Sequence, residues 1–138
     1  VGYDAYGREH QGVAPPAEAV LRLSSDPAFR GDPALLNPEQ LVVLAASSCQ
    51  LLSFLAVAAR ARIDVVAYED DAEGEMPEAD KPMRLTRIVL RPRMTVRADP
   101  DAVSDDRIRH LVEVAHRECF IANSLRTDVV VEPVIQRA

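Results

Sequence analysis

The strongest pattern in the chain is an apolar run. Over residues 41–59 nearly every position is Leu, Val, Ala, Phe or Cys, interrupted only by Ser47, Ser48, Gln50 and Ser53. Charges stand at its ends alone, at Glu39 and Arg60. Asn37 in front of it is a good N-cap, Pro38 suits the first helical position, and Gln40 sits where a capping-box partner sits. The run therefore predicts a helix. A helix that is apolar all round is buried all round, so this one is expected at the centre of the molecule, with Cys49 at its midpoint.

Two stretches further on alternate with period two. Residues 64–76 and 84–97 predict the arms of a hairpin around a loop at 77–83. In the second arm Ile88, Leu90, Met94 and Val96 share one face, and Arg87, Arg91, Arg93 and Arg97 share the other. The first arm carries Glu69, Asp70, Asp71, Glu73 and Glu75. Opposite charges on neighbouring strands favour this pairing by roughly 0.2–1 kcal/mol each. Pro92 predicts an edge position or a bulge.

A second helix is expected over 104–118, with Ser104 as cap and Asp105 and Asp106 in the first turn. Ile108, Leu111, Val112 and Ala115 mark its inner face, and Cys119 continues that face at the helix end. Residues 128–135 predict a last strand. Residues 1–23 read as short strands or loops, with weak strand character over 19–23, and 24–37 as an irregular connection. The order is strands, buried helix, hairpin, helix, strand: an α+β fold, expected as one domain over 1–138.

Composition narrows the function classes. A net charge of −6 gives no general attraction to nucleic acid or an anionic membrane. Trp is absent and aromatics are 4%, too few for base-stacking platforms. The serines and the glutamine within the apolar run argue against a membrane span. No charged-then-apolar signal pattern opens the chain, which points to the cytoplasm. There a pair of cysteines is not a disulfide framework.

Cys49 and Cys119 are then either small core residues, as free cysteines commonly are, or a reactive pair. Both lie on inward helix faces and could meet, although a bond needs Cα atoms about 4.4–6.8 Å apart. The thiolate is the reactive form, and burial opposes it. A mid-helix cysteine gains little from the helix dipole, so a working Cys49 needs a nearby cation. Arg8, Arg22 and Arg30 are upstream candidates, with Glu39 as carboxylate partner. Glu39 and Cys49 stand about 15 Å apart on a continuous helix. Either the helix is broken, or Glu39 and the arginine reach Cys49 from a second subunit.

Asn37-Pro38-Glu39-Gln40-Leu41, with Cys49 ten residues after the Glu, resembles the OsmC/Ohr family (osmotically inducible and organic hydroperoxide resistance proteins). So does Ala115-His116-Arg117-Glu118-Cys119-Phe120-Ile121-Ala122-Asn123-Ser124-Leu125. The resemblance runs from about residue 37 to the C-terminus. It implies an OsmC-like fold, with the buried helix packed on antiparallel strands, in an intertwined homodimer. It also implies a cysteine peroxidase that reduces organic hydroperoxides without a cofactor. Cys49 would attack the peroxide and Cys119 would resolve the sulfenate as a disulfide. Glu39 would pair an N-terminal arginine, Arg8 in first place and Arg30 second. The expected reductant is a dithiol such as a lipoylated protein. Leu52, Phe54, Ile88 and Phe120 are expected around an apolar substrate pocket.

Three other readings compete. His116 with Cys119, Cys49 and His10 could make a zinc site, although no CxxC supports it, and no metal is expected. The chain could instead be a non-catalytic binder of a lipid or other small molecule, with inert core cysteines. The arginine stripe could bind nucleic acid, but an acid-paired solvated face suits the net charge better.

Overall fold

The computed structural model describes residues 2–138, which pack as two compact units divided between Val42 and Val43. In the first unit β1 (His10–Val13) and β2 (Val20–Leu23) form an antiparallel hairpin, with His10 opposite Leu23 and Val13 opposite Val20. Arg22 pairs with Glu9 across it. A short 3-10 turn at Pro27–Phe29 follows, capped by the Asp26 side chain. The unit closes on the first turn of α1 (Pro38–Arg60). The capping box is formed in full. The Gln40 N–H donates to Asn37 Oδ1, and the Asn37 N–H donates to Gln40 Oε1, each at 2.9 Å.

The second unit holds the rest of α1, six strands and α2 (Asp105–Glu118). β3 (Asp64–Asp70) pairs antiparallel with β6 (Pro92–Arg97), and β4 (Glu73–Glu75) with β5 (Arg87–Leu90). This is the expected hairpin, broken at its middle. The predicted last strand is also broken, into β7 (Asp128–Val131) and β8 (Val134–Arg137), which run parallel to β5 and β6. The strands form two three-stranded sheets, β3-β6-β8 and β4-β5-β7, and both are mixed, where antiparallel strands alone were expected. Pairing keeps one register on both sides of the break, since Leu90 faces Val131 and Arg93 faces Val134. Pro92 and Pro133 fall opposite each other at the break, where neither can give the ladder an N–H. Pro92 thus opens a central strand, flanked by β3 and β8, and is not on an edge. Asp70 closes the gap: its carboxylate accepts the Arg91 N–H at 2.7 Å and the hydroxyl of Ser47 from α1.

Ile88, Leu90, Met94 and Val96 are buried as their alternation requires. The arginines on the other face meet the acidic arm. Arg93 reaches Glu69 and Asp71, Arg97 reaches Asp64, Arg91 reaches Glu73, and Arg87 reaches Glu75. Gly74 stands where a Cβ would come within 2.9 Å of the side-chain methyls of both Val43 and Leu85, so any larger residue there would push these side chains aside.

α1 departs from its expectation. Ala46, Gln50, Phe54, Val57 and Ala58 face the core, but Leu44, Leu52 and Leu55 are 56%, 64% and 38% exposed. The helix is buried on one side only within this chain. By length and composition it is also long and apolar enough to cross a membrane, with a mean hydropathy of 2.1 over its most apolar window. Three of the polar residues that interrupt the run have partners far along the chain, Ser47 in Asp70 and the other two in α2. Ser53 donates to the Ala115 carbonyl at 2.7 Å and Gln50 to that of Val112 at 3.4 Å, which ties α1 to α2.

Candidate functional site

The two helices bring the cysteines together. Cys49 lies at the edge between the buried and open sides of α1 and is half-buried, because four residues earlier and later the helix shows Ala45 and Ser53 at the same boundary. Cys119 is the C-cap of α2 and only 1% exposed. The α2 boundary is set by Ser104, whose hydroxyl accepts the Arg107 N–H, and by Cys119, whose own N–H donates to the His116 carbonyl. The two thiols are neighbours, and each shifts the ionisation of the other.

Their environments push them apart. Burial pushes the Cys49 thiol up, but the N–H of Ile121, the thiol of Cys119 and the N–H of Phe120 outweigh it, and the net shift is downward. Burial also pushes Cys119 up. The Ala122 N–H opposes that, and the Cys49 sulfur beside it adds to the rise, so the net shift is upward. Of the pair, Cys49 is the more readily ionised and Cys119 the proton donor between them. Tyr68 of β3 stands nearby: burial, then Asp70, then Cys119 hold its phenol neutral far above the ordinary range. Its hydroxyl is buried without a hydrogen-bond partner.

Cys49 opens on a cleft of about 480 Å³. Leu52, Ala56 and Phe120 supply apolar wall, and Arg60 and Glu118, paired at 3.1 Å, supply the only charges. Leu52 and Phe120, at 64% and 83% exposed, are thus at the cleft. Phe54 is not. Five residues past Cys49 it is turned about 140° around the helix, and at 1% exposed it packs in the core, 6.1 Å from the Tyr68 ring. Ile88 is likewise fully buried. Gln50 faces α2, so the residue after the first cysteine shapes helix packing and not the cleft.

The N-terminal candidates are engaged locally. The Arg8 guanidinium donates to the carbonyls of Tyr6 and Tyr3 and stacks on both rings, 3.7 and 4.6 Å from their centroids. Arg30 pairs with Asp4 at 2.6 Å. Glu39 is half-buried in the first turn of α1 and, among the described residues, has no ion-pair partner. The helix is unbroken from Pro38 to Arg60. Among the described residues no three His, Cys, Asp or Glu side chains converge as a metal site would require. Tyr68, Arg60 and Glu118 were not singled out from sequence. They come from three different elements: Glu118 directly precedes Cys119, but no local spacing links Tyr68 or Arg60 to it.

The OsmC-like protein family model matches residues 31–134, three quarters of the chain, and spans both cysteine motifs. The chain belongs to this family. Among solved structures, an OsmC-like protein of unknown function from Vibrio cholerae superposes with a TM-score of 0.85 at 31% identity, over 94% of this chain and 86% of that one. An organic hydroperoxide resistance protein from Elizabethkingia anophelis, with thiocyanate bound, superposes at 0.68 and 15% identity, over 96% of each chain. An organic hydroperoxide resistance protein OsmC from Legionella pneumophila gives 0.65 at 16%, over 95% of this chain and 96% of that one. The last two establish the shared OsmC-like fold. No curated protein matches the sequence.

Proposed function

We propose that this OsmC-like protein is a cysteine peroxidase that reduces organic hydroperoxides. The observation that carries the reading is a pair of neighbouring thiols shifted in opposite directions, the lowered one opening on an apolar cleft. The Cys49 thiolate attacks the terminal oxygen of R–O–O–H. A sulfur–oxygen bond forms, the O–O bond breaks, and the alkoxide leaves as the alcohol after taking a proton. Cys49 is now a sulfenic acid, oxidised by two electrons. The Cys119 sulfur displaces the hydroxyl, which leaves as water with the Cys119 proton, and a Cys49–Cys119 disulfide remains. An external dithiol, such as a lipoylated protein, then takes over the disulfide by exchange and returns both thiols. No cofactor is required. Leu52 and Phe120 favour a carbon-bearing peroxide over hydrogen peroxide.

The reading includes a homodimer, with the exposed stripe of Leu44, Leu52 and Leu55 on α1 as its seam. In it Glu39 and an N-terminal arginine, Arg8 before Arg30, would act on the Cys49 site from across the seam. The working compartment would be the reducing cytoplasm.

The test mixes reduced protein with one equivalent of cumene hydroperoxide or hydrogen peroxide and follows free thiols and intact mass. Loss of both thiols with a mass fall of about 2 Da, faster with cumene hydroperoxide, is expected. Thiols that survive both peroxides for minutes would leave the apolar cleft as a binding site for a lipid or other small molecule.

A further inference from the structure

The chain after α2 does more than place Cys119. Its peptide groups are pinned one after another. The Asn123 side-chain amide donates to the carbonyl of Arg117 at 2.9 Å and to that of Cys119 at 2.8 Å, and the Asn123 main-chain N–H also donates to Cys119 at 3.1 Å. The Ser124 hydroxyl donates to the Phe120 carbonyl at 2.7 Å, and the Ser124 N–H to the Ile121 carbonyl at 2.9 Å. A trans peptide is planar, with its C=O and N–H pointing opposite ways. Fixing the carbonyls of Cys119, Phe120 and Ile121 therefore fixes the N–H groups of Phe120, Ile121 and Ala122 on the other side. Among the described residues no main-chain carbonyl accepts the N–H of Phe120 or Ile121. The two cysteine side chains lie on that side: Phe120 lines the same cleft as Cys49, the N–H groups of Ile121 and Phe120 lower the Cys49 thiol, and those of Ala122 and Ile121 oppose the rise of Cys119.

We propose that Asn123 is a positioning residue for the thiol pair: its side-chain amide, seconded by the Ser124 hydroxyl, holds the turn after α2 so that the main-chain N–H groups of Phe120 and Ile121 point at the sulfur of Cys49. The thiolate is then stabilised by successive backbone dipoles, the arrangement that makes anion-binding concavities elsewhere. Asn123 touches neither sulfur. Its amide also caps carbonyls that the end of α2 leaves unsatisfied, so one side chain ends the helix and aims the amides. The ionisable groups around the pair are the two thiols themselves, Tyr68 of β3 with Asp70 behind it, Arg60 and Glu118 at the cleft, and His116 and Arg117 of α2, which line a pocket with Ala122 and Asn123.

The inference concerns the same site as the peroxidase reading, but its test uses no peroxide. The reduced full chain is alkylated with bromobimane across pH 5–10, and modification of Cys49 is followed by peptide mass in wild type, Asn123→Ala, Ser124→Ala and Ile108→Val. Ile108→Val loosens the α2 core away from the turn and reports general destabilisation. In Asn123→Ala the midpoint for Cys49 is expected to rise by about one pH unit, with about tenfold slower alkylation below the midpoint. Ser124→Ala should show a smaller rise, and Ile108→Val none. A folded Asn123→Ala whose midpoint matches wild type overturns the proposal, as does an equal shift in Ile108→Val. If Asn123→Ala does not fold, an unmoved midpoint in Ser124→Ala overturns it as well. The midpoint shift in a protein inert to every hydroperoxide would uphold the positioning role and defeat the peroxidase reading.

Discussion

At the scale of single residues the site rests on small differences between like groups. Two thiols of the same intrinsic acidity separate because one faces free amides and the other lies deeper. The roles predict distinct variants. Cys49→Ser should abolish peroxide reduction. Cys119→Ser should still react once per chain and stop at a sulfenic acid, detected as a dimedone adduct by mass. The sign of the Cys49 shift gives a pH dependence. Its pKa is lowered, so its contribution to stability is present above the free-thiol value and is lost as pH falls through the folded value. Tyr68 works in the opposite direction. Its pKa is raised, so its contribution is full below the free phenol value near 10 and is lost as pH rises beyond it. Because its hydroxyl is buried without a partner, Tyr68→Phe should cost no stability at pH 7 and could gain about 1 kcal/mol. It should also flatten the loss above pH 10, both read by urea denaturation.

At the scale of elements, caps and breaks decide where things sit. α1 ends in a Schellman arrangement: the Arg62 N–H donates to Ala59, the Ile63 N–H to Ala58, and Arg62 takes φ 59. That conformation costs a non-glycine residue roughly 1–2 kcal/mol, so Arg62→Gly should raise stability by about 0.5–1 kcal/mol after the added freedom of the unfolded chain. Asp70 bridges the sheet break to α1, and Asp70→Ala should cost about 2 kcal/mol, since it strands the Arg91 N–H and the Ser47 hydroxyl. The capping box and the Ser104 cap were legible because they are local: residues three positions apart supply donor and acceptor. The strand breaks were half legible. Pro92 signalled an irregularity, but an isolated proline does not say that another proline will stand opposite it across a parallel ladder, 41 residues on in the chain. That pairing is what let Pro92 open a central strand.

At the scale of the whole molecule the open side of α1 governs what can be tested. Leu44, Leu52 and Leu55 share the exposed side of α1, with Ser48 between the first two, on a chain of net charge −6. The homodimer reading predicts twice the 15.2 kDa chain mass by sedimentation at micromolar concentration. Leu55→Glu, at a stripe position away from the cleft, should shift that mass toward the monomer while the fold survives by circular dichroism. A wild-type monomer at that concentration would remove the dimer, and with it any action of Glu39 across the seam.

The sequence alone determined the two helices with their caps, the arginine-against-acid pairing of the hairpin arms and the family, because each is written in spacings of a few residues or in contiguous motifs. It marked both cysteines on inward faces. Tertiary structure alone decided that the two thiols become neighbours, that Phe54 turns to the core while Leu52 and Phe120 stay at the cleft, and that α1 leaves one side open. It also decided that Arg60 meets Glu118 and that Tyr68 stands by Cys119. These are contacts between residues some fifty positions apart in the chain. They depend on how far each helix rotates about its axis as it packs, and a pattern of apolar positions fixes which face turns inward but not which neighbour it meets there.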